Sequence, residues 1–311
     1  MSKIKDCIYG FVIGDAIGVP IEFESREKLI EKPVTSMHGY GSYDVPKGTW
    51  SDDTSMTLAT IDSLINKNEI DLNDIMMNFY YWLHDNKYTA TGEVFDAGRT
   101  CIQSIIDFSK SMNPLICGQT TIDSNGNGSL MRMSPIVLYI YYKKINDNEI
   151  YNIVKSISSL THAHEISVMA CYIYTMYVLY ILKGVDKFDA YKMIKKINYS
   201  KYFSKDTIKE FDRLITMNIN EFSIDDIKSS GYVIDTLETV IWVILNTNNY
   251  SEAIIGAINL GGDTDTIGAI TGSIAGVLYG FESMPGNWVN KLQNREYLLK
   301  LIANFEMMFN K

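Results

Sequence analysis

Cysteine is scarce and scattered in this chain. Cys7, Cys101, Cys117 and Cys171 are the only four in 311 residues and show no C-x-x-C spacing. They form no disulfide framework, and a reducing cytoplasm is the expected setting. Basic runs are also missing. Lys and Arg number 28 against 37 Asp and Glu, for a net charge of −9. A nucleic-acid partner is not expected, because such a surface needs clustered cations to replace phosphate counterions. Alternation of apolar and polar residues is rare, so few strands are expected. The uncharged run from Ile166 to Leu182 is short for a bilayer span and carries Ser167, Thr175 and several tyrosines. It reads as a buried central helix, and no membrane partner is expected. Lys3 and Lys5 precede an apolar stretch as in a signal peptide, but Asp6 and Asp15 interrupt it and no small-residue cleavage site follows. That segment reads as the first core helix. No P-loop, G-x-G-x-x-G fingerprint, Ser-His-Asp set or Cys-His pair stands out.

What is present is helical spacing. Leu58, Ile61, Leu64 and Ile65 follow the i, i+3, i+4 pattern, and Leu237, Val240, Ile241 and Ile244 repeat it. Hydrophobic residues make up 46% of the chain, enough for a substantial core. Loops are expected from Glu31 to Lys47, Asn113 to Gly128 and Asn246 to Tyr250. None resembles an interdomain linker, so a single all-α domain over residues 1–311 is expected. Gly10, Gly14 and Gly18 recur every four residues, as do Gly268, Gly272, Gly276 and Gly280. Each set lies along one helix face. Interior glycine costs roughly 1 kcal/mol relative to alanine; close packing of two central helices accounts for the ladders better than irregular loops do.

Two acidic clusters carry the chemistry. Ser51-Asp52-Asp53-Thr54 and Asp263-Thr264-Asp265-Thr266 each open an apolar helical run. Each supplies carboxylates and hydroxyls, an all-oxygen set of the kind hard divalent ions prefer. Helix capping is the competing reading, since Ser, Thr and Asp satisfy orphan N–H groups at helix starts. The adjacent carboxylates of Asp52 and Asp53 exceed what a cap requires. Gly261 and Gly262 before the second cluster let backbone approach a ligand closely. Together the two clusters favour a two-metal centre.

Other segments are ambiguous alone. Asn125-Gly126-Asn127-Gly128-Ser129-Leu130-Met131-Arg132 either is a plain turn or presents N–H groups to phosphate oxygens, helped by a following helix N-terminus. His162 and His164 are spaced i, i+2 and lack the H-E-x-x-H pattern, so zinc is not expected. By default Glu22 reads as a surface salt bridge and Asp96 as a helix cap. Tyr232 begins a helix and is one of 21 tyrosines, most of which belong to core or rim.

The order of these segments resembles the ADP-ribosylglycohydrolase family. The likeness runs through Gly14-Asp15-Ala16-Ile17-Gly18 with Glu22, Gly48 to Thr54, Asn125 to Arg132, Thr161-His162, Gly231-Tyr232-Val233 to Leu237-Glu238, and Asn259 to Thr266, spanning roughly residues 5–282. It implies a compact, orthogonal all-α fold around a binuclear Mg²⁺ or Mn²⁺ centre. It also implies Ser51, Asp52, Asp53, Asp263, Asp265 and Thr266 as ligands, with Ser51 standing where many members carry threonine. By the same likeness, Glu22 is the general acid/base and Asp96 contacts an acceptor guanidinium. Gly126, Asn127, Gly128 and Ser129 cradle the pyrophosphate or ribose, His162 lies beside the phosphates or distal ribose, and Tyr232 stacks on adenine.

The implied activity is hydrolysis at C1″ of the distal ribose, releasing ADP-ribose from a modified protein or small molecule. Arginine is the leading acceptor, with serine, guanidine compounds or another group as alternatives. A catalytically silent binding or transferase-blocking module and a metal-dependent phosphohydrolase are the readings from other classes. A paired ADP-ribosyltransferase is a further expected partner.

Overall fold

The computed structural model describes residues 2–309, so the outermost positions of the expected domain lie outside the described residues. Ser2 caps the first helix, Lys3–Gly18, by accepting a hydrogen bond from the Ile4 N–H at 3.2 Å. This helix is apolar on nearly every side and buried from Asp6 to its end. A helix without a polar face belongs in the middle of a core. Its neighbour is Thr264–Tyr279, buried from Thr264 to Val277.

The glycine ladders join these two helices. A Cβ added to Gly14 would lie 2.0 Å from the carbonyl oxygen of Gly268, and one added to Gly272 would lie 2.1 Å from that of Gly10. Backbone meets backbone there, and no side chain fits. Gly276 meets the Asp6 carbonyl and Gly18 meets that of Thr264 in the same way. Gly280 departs from the expected ladder. It lies just beyond the helix at φ 81°, with open space where a Cβ would point. Its conformational freedom ends the helix rather than permitting contact.

Other helices wrap this pair. Asp52–Lys67 and Val233–Asn246 bury the faces read from their spacing, and Glu165–Leu182 is the expected buried central helix. The Tyr174 hydroxyl bridges Ser134 at 2.7 Å and Ser273 at 2.9 Å, satisfying polar groups within the core. Hydrophobic residues from Ile4 to Met308 form one continuous cluster. The fold is all-α. Among the described residues, extended pairing is limited to two isolated bridges, Gln119 with His162 and Gly126 with Tyr232. Both bridges join site-bearing loops to one another.

Candidate active site

Helix starts position the first cluster. Ser51 caps Asp52–Lys67, its hydroxyl oxygen accepting from the Asp53 N–H at 3.4 Å. A second cap comes from the first helix. The Asp15 carboxylate accepts from Ser51 N–H at 3.0 Å, Thr54 N–H at 3.1 Å and the Thr54 hydroxyl at 2.6 Å. Asp15 and Ser51 thereby do the capping, which leaves Asp52 and Asp53 free for other work. Burial pushes Asp15 up to about 7, against the opposing pull of those hydrogen bonds.

The second cluster depends on the two glycines before it. Gly261 and Gly262 both have φ 74°, and a Cβ on Gly262 would lie 2.1 Å from the Ser229 carbonyl oxygen. Glycine alone fits this turn. Asp263 stands at the N-cap position of Thr264–Tyr279 but makes no side-chain cap. Its carboxylate instead accepts from Asn127 Nδ2 at 2.9 Å. The Asp53 carboxylate accepts from the Ser51 hydroxyl at 3.2 Å and from the Thr266 hydroxyl at 3.1 Å. The two clusters therefore meet.

Glu22 joins them. One carboxylate oxygen each from Glu22, Asp263 and Asp265 lies within 4.8 Å of the others. Glu22 is 3% exposed, so the surface salt bridge expected by default is wrong: a short 3₁₀ turn, Val19–Ile21, carries the chain inward after the first helix. Glu22 Oε2, Asp53 Oδ1 and Asp265 Oδ2 are buried without a hydrogen-bond partner. Among the described residues, no Lys, Arg or His forms an ion pair with any of these carboxylates. Burial first, and mutual repulsion second, raise Asp52, Asp53 and Asp265 well above the carboxylate range and push Glu22 up to about 9. Buried, like-charged oxygens with unused lone pairs fit the chemistry of a hard divalent cation.

A cavity of about 280 Å³ opens over this centre. Asp52, Asp263 and Thr266 reach its surface with Glu22 and Asp96, and Gly126, Asn127, Gly128 and His162 also line it. Asp96 is not the expected helix cap. Gly98 holds that position for Arg99–Ser111, and Asp96 sits at φ 54°, accepting from the Tyr43 hydroxyl at 2.7 Å. The glycine-bearing loop also differs from expectation. Asn127–Ser129 makes a 3₁₀ turn and the next α-helix begins only at Ser134, so no α-helix N-terminus follows the loop directly. Ser129 is fully buried, its hydroxyl oxygen accepting from Ser158 at 3.0 Å and facing Cys171 Sγ at 3.4 Å. His162 is buried at the cavity wall. Tyr232 is 36% exposed and lies outside the residues lining the cavity, paired through its backbone with Gly126.

Three contributors escaped the sequence reading. Asp15 was visible in a motif, but nothing in the spacing shows that it caps another helix. Tyr43 comes from the loop between Glu31 and Lys47, which carries no recognisable pattern. Arg132, at the end of the glycine-bearing segment, is buried entirely and makes its hydrogen bonds to carbonyls and a hydroxyl rather than to a carboxylate. A buried arginine without an ion-pair partner is a signal that exists only in three dimensions.

The ADP-ribosylglycohydrolase family model matches residues 1–311. The chain is 31% identical over 304 residues to ADP-ribosylarginine hydrolase Tri1 of Serratia proteamaculans, covering 97% of this chain and 78% of that protein. It is 28% identical to ADP-ribosyl-[dinitrogen reductase] glycohydrolase of Rhodospirillum rubrum, covering 91% and 87% of the two chains. A solved structure described as an ADP-ribosylglycohydrolase-related protein complex shares the fold, with a TM-score of 0.82 at 24% identity over 99% of this chain and 98% of that one. A family model that matches the whole chain, with a relative 31% identical over 97% of it, places this protein in the ADP-ribosylglycohydrolase family.

Proposed function

We propose that this enzyme hydrolyses the bond between C1″ of the distal ribose of ADP-ribose and an arginine side chain, with the help of divalent cations. The single observation that carries the reading is the convergence of Glu22, Asp263 and Asp265 within 4.8 Å beneath a cavity walled by Gly126, Asn127, Gly128 and His162. Relatives named as ADP-ribosylarginine hydrolases support the acceptor.

Ser51, Asp52, Asp53, Asp263, Asp265 and Thr266 are the residues that would hold Mg²⁺ or Mn²⁺. When bound, such ions would supply positive charge that orients the ribose hydroxyls and polarises water for addition at C1″. The protein's own residues account for the rest. Gly126, Asn127 and Gly128 leave room for the pyrophosphate or ribose to approach backbone. Tyr232, beside Gly126, offers its half-exposed ring to adenine. On the opposite side of the reaction, the Asp96 carboxylate, oriented by Tyr43, accepts hydrogen bonds from the guanidinium. Glu22 gives a proton to the departing guanidine nitrogen as the C1″–N bond breaks. Its carboxylate then takes a proton from the water that adds at C1″. The products are intact ADP-ribose and free arginine.

Peptides carrying ADP-ribosyl-arginine or ADP-ribosyl-serine, incubated with the enzyme and Mg²⁺ or with EDTA, test the proposal by mass spectrometry. Release of ADP-ribose from the arginine peptide, lost in EDTA, is expected. AMP as product would establish phosphohydrolysis instead, and preferential cleavage of the serine peptide would change the acceptor. Binding without any product would leave a silent module.

A further inference from the structure

Among the described residues Arg132 is the largest buried charged side chain, and the proposed chemistry leaves it without a role. Its guanidinium touches no acid. It donates to the Gly128 carbonyl, to the Ile157 carbonyl at 3.2 Å and to the Thr161 hydroxyl at 2.8 Å, with the Phe79 ring 5.2 Å away. Burying a guanidinium against carbonyls and one hydroxyl is expensive, and each of its contacts therefore has a fixed polarity. Arginine only donates.

That polarity propagates. The Thr161 oxygen accepts from Arg132 and lies 2.7 Å from Nδ1 of His162. If Thr161 directs its own hydrogen to Nδ1, the threonine hydroxyl and Nδ1 are both satisfied, Arg132 Nε being unpartnered in either arrangement. If instead Nδ1 carried the proton, the threonine hydrogen would be left facing the Cys101 thiol, a weak acceptor. The better arrangement leaves Nδ1 bare and places the imidazole hydrogen on Nε2. Among the described residues, Nε2 makes no hydrogen bond within the protein, while the histidine lines the cavity. Gly128 leaves the ring its space: a Cβ there would lie 2.9 Å from His162 Cε1 and 2.8 Å from Cys101 Sγ.

We propose that Arg132 and Thr161 are positioning residues that fix His162 as the neutral Nε2–H tautomer, making it a hydrogen-bond donor to a ligand oxygen in the cavity. The inference rests on the functional reading above only for the identity of that ligand, an ADP-ribose oxygen. A second consequence follows from the same guanidinium. Through the Gly128 carbonyl, Arg132 ties the donor to the backbone turn that forms the cradle, so ring and turn move as one unit. The imidazole also stays uncharged, since burial first and the Arg132 charge second push its pKa down to about 3.

The test uses the full chain labelled with ¹⁵N-histidine, with His162 assigned from a His162→Gln variant. Two-bond ¹H–¹⁵N correlation spectra at about pH 7 distinguish the Nε2–H tautomer from the Nδ1–H tautomer and the imidazolium. The wild type is expected to show Nε2–H alone. Thr161→Val should give a mixture of tautomers and weaken ADP-ribose binding about tenfold by calorimetry, the scale of one hydrogen bond. Thr161→Ser should restore both. An Nδ1–H or charged ring in the wild type, or a Thr161→Val protein with unchanged tautomer and affinity, overturns the proposal. Wild-type protein that fails to bind ADP-ribose while showing the Nε2–H ring would overturn the functional reading and leave the relay standing.

Discussion

The Thr266 hydroxyl donates to Asp53 Oδ2 at 3.1 Å across 213 positions of sequence. This bond joins the two acidic clusters directly and orients one Asp53 oxygen while the other stays unpartnered. Removing the hydroxyl should loosen the cation-binding geometry without emptying the core. Thr266→Val is expected to lower Mg²⁺ affinity about 10- to 100-fold or more, since it removes a proposed ligand oxygen together with the hydrogen bond that supports Asp53. Titration calorimetry decides it, and unchanged affinity with a shared fold would show that the two clusters bind cations independently.

The helix pair makes a sharper stability prediction. A methyl group at Gly14 would sit 2.0 Å from a backbone carbonyl oxygen that cannot rotate away. Gly14→Ala should therefore destabilise by about 3 kcal/mol, the upper part of the overpacking range. Gly286 has open space where its Cβ would point, so Gly286→Ala serves as the control with little change. Equal melting temperatures for the two variants would refute close backbone packing.

The unpaired carboxylates make the cation-free protein sensitive to pH. Burial disfavours ionised Glu22, raising its folded-state pKa from an ordinary 4.5 to about 9. The native state then holds a proton that the unfolded chain releases. Stability from this group is full below its ordinary value and is lost as pH rises through about 9. In EDTA, the melting temperature should fall steadily from acidic pH towards pH ~9, and saturating Mg²⁺ should flatten that fall by binding the native state. A chelated protein equally stable across the range would mean the carboxylates are not held in one buried cluster.

Glu22 lies both at the cavity wall and within reach of Asp263 and Asp265. Proton transfer and cation binding are separable by experiment. Glu22→Gln is expected to lose ~10²–10⁴-fold in turnover, the usual range for general acid–base catalysis. ADP-ribose binding and Mg²⁺ affinity should remain close to wild type. Loss of Mg²⁺ affinity in parallel with turnover would reassign Glu22 as a cation ligand.

Local pattern was enough to read the helices, because apolar periodicity, caps and glycine spacing each act over a few residues. The same holds for the first core helix, the buried Ile166–Leu182 run and the close approach behind the Gly10 and Gly272 ladders. The acidic clusters were legible too, although sequence could not separate capping from ligation. Tertiary structure let Asp15 from another helix share the cap at Ser51 and Thr54, which relieved Asp52 and Asp53 of capping. It also turned Glu22 inward to meet Asp263 and Asp265, carried Tyr43 to Asp96, and set Arg132 behind Thr161 and His162. These relations depend on how helices and loops pack. Spacing along a chain encodes which residues share a helix face, and carries no record of which distant side chain will arrive opposite that face.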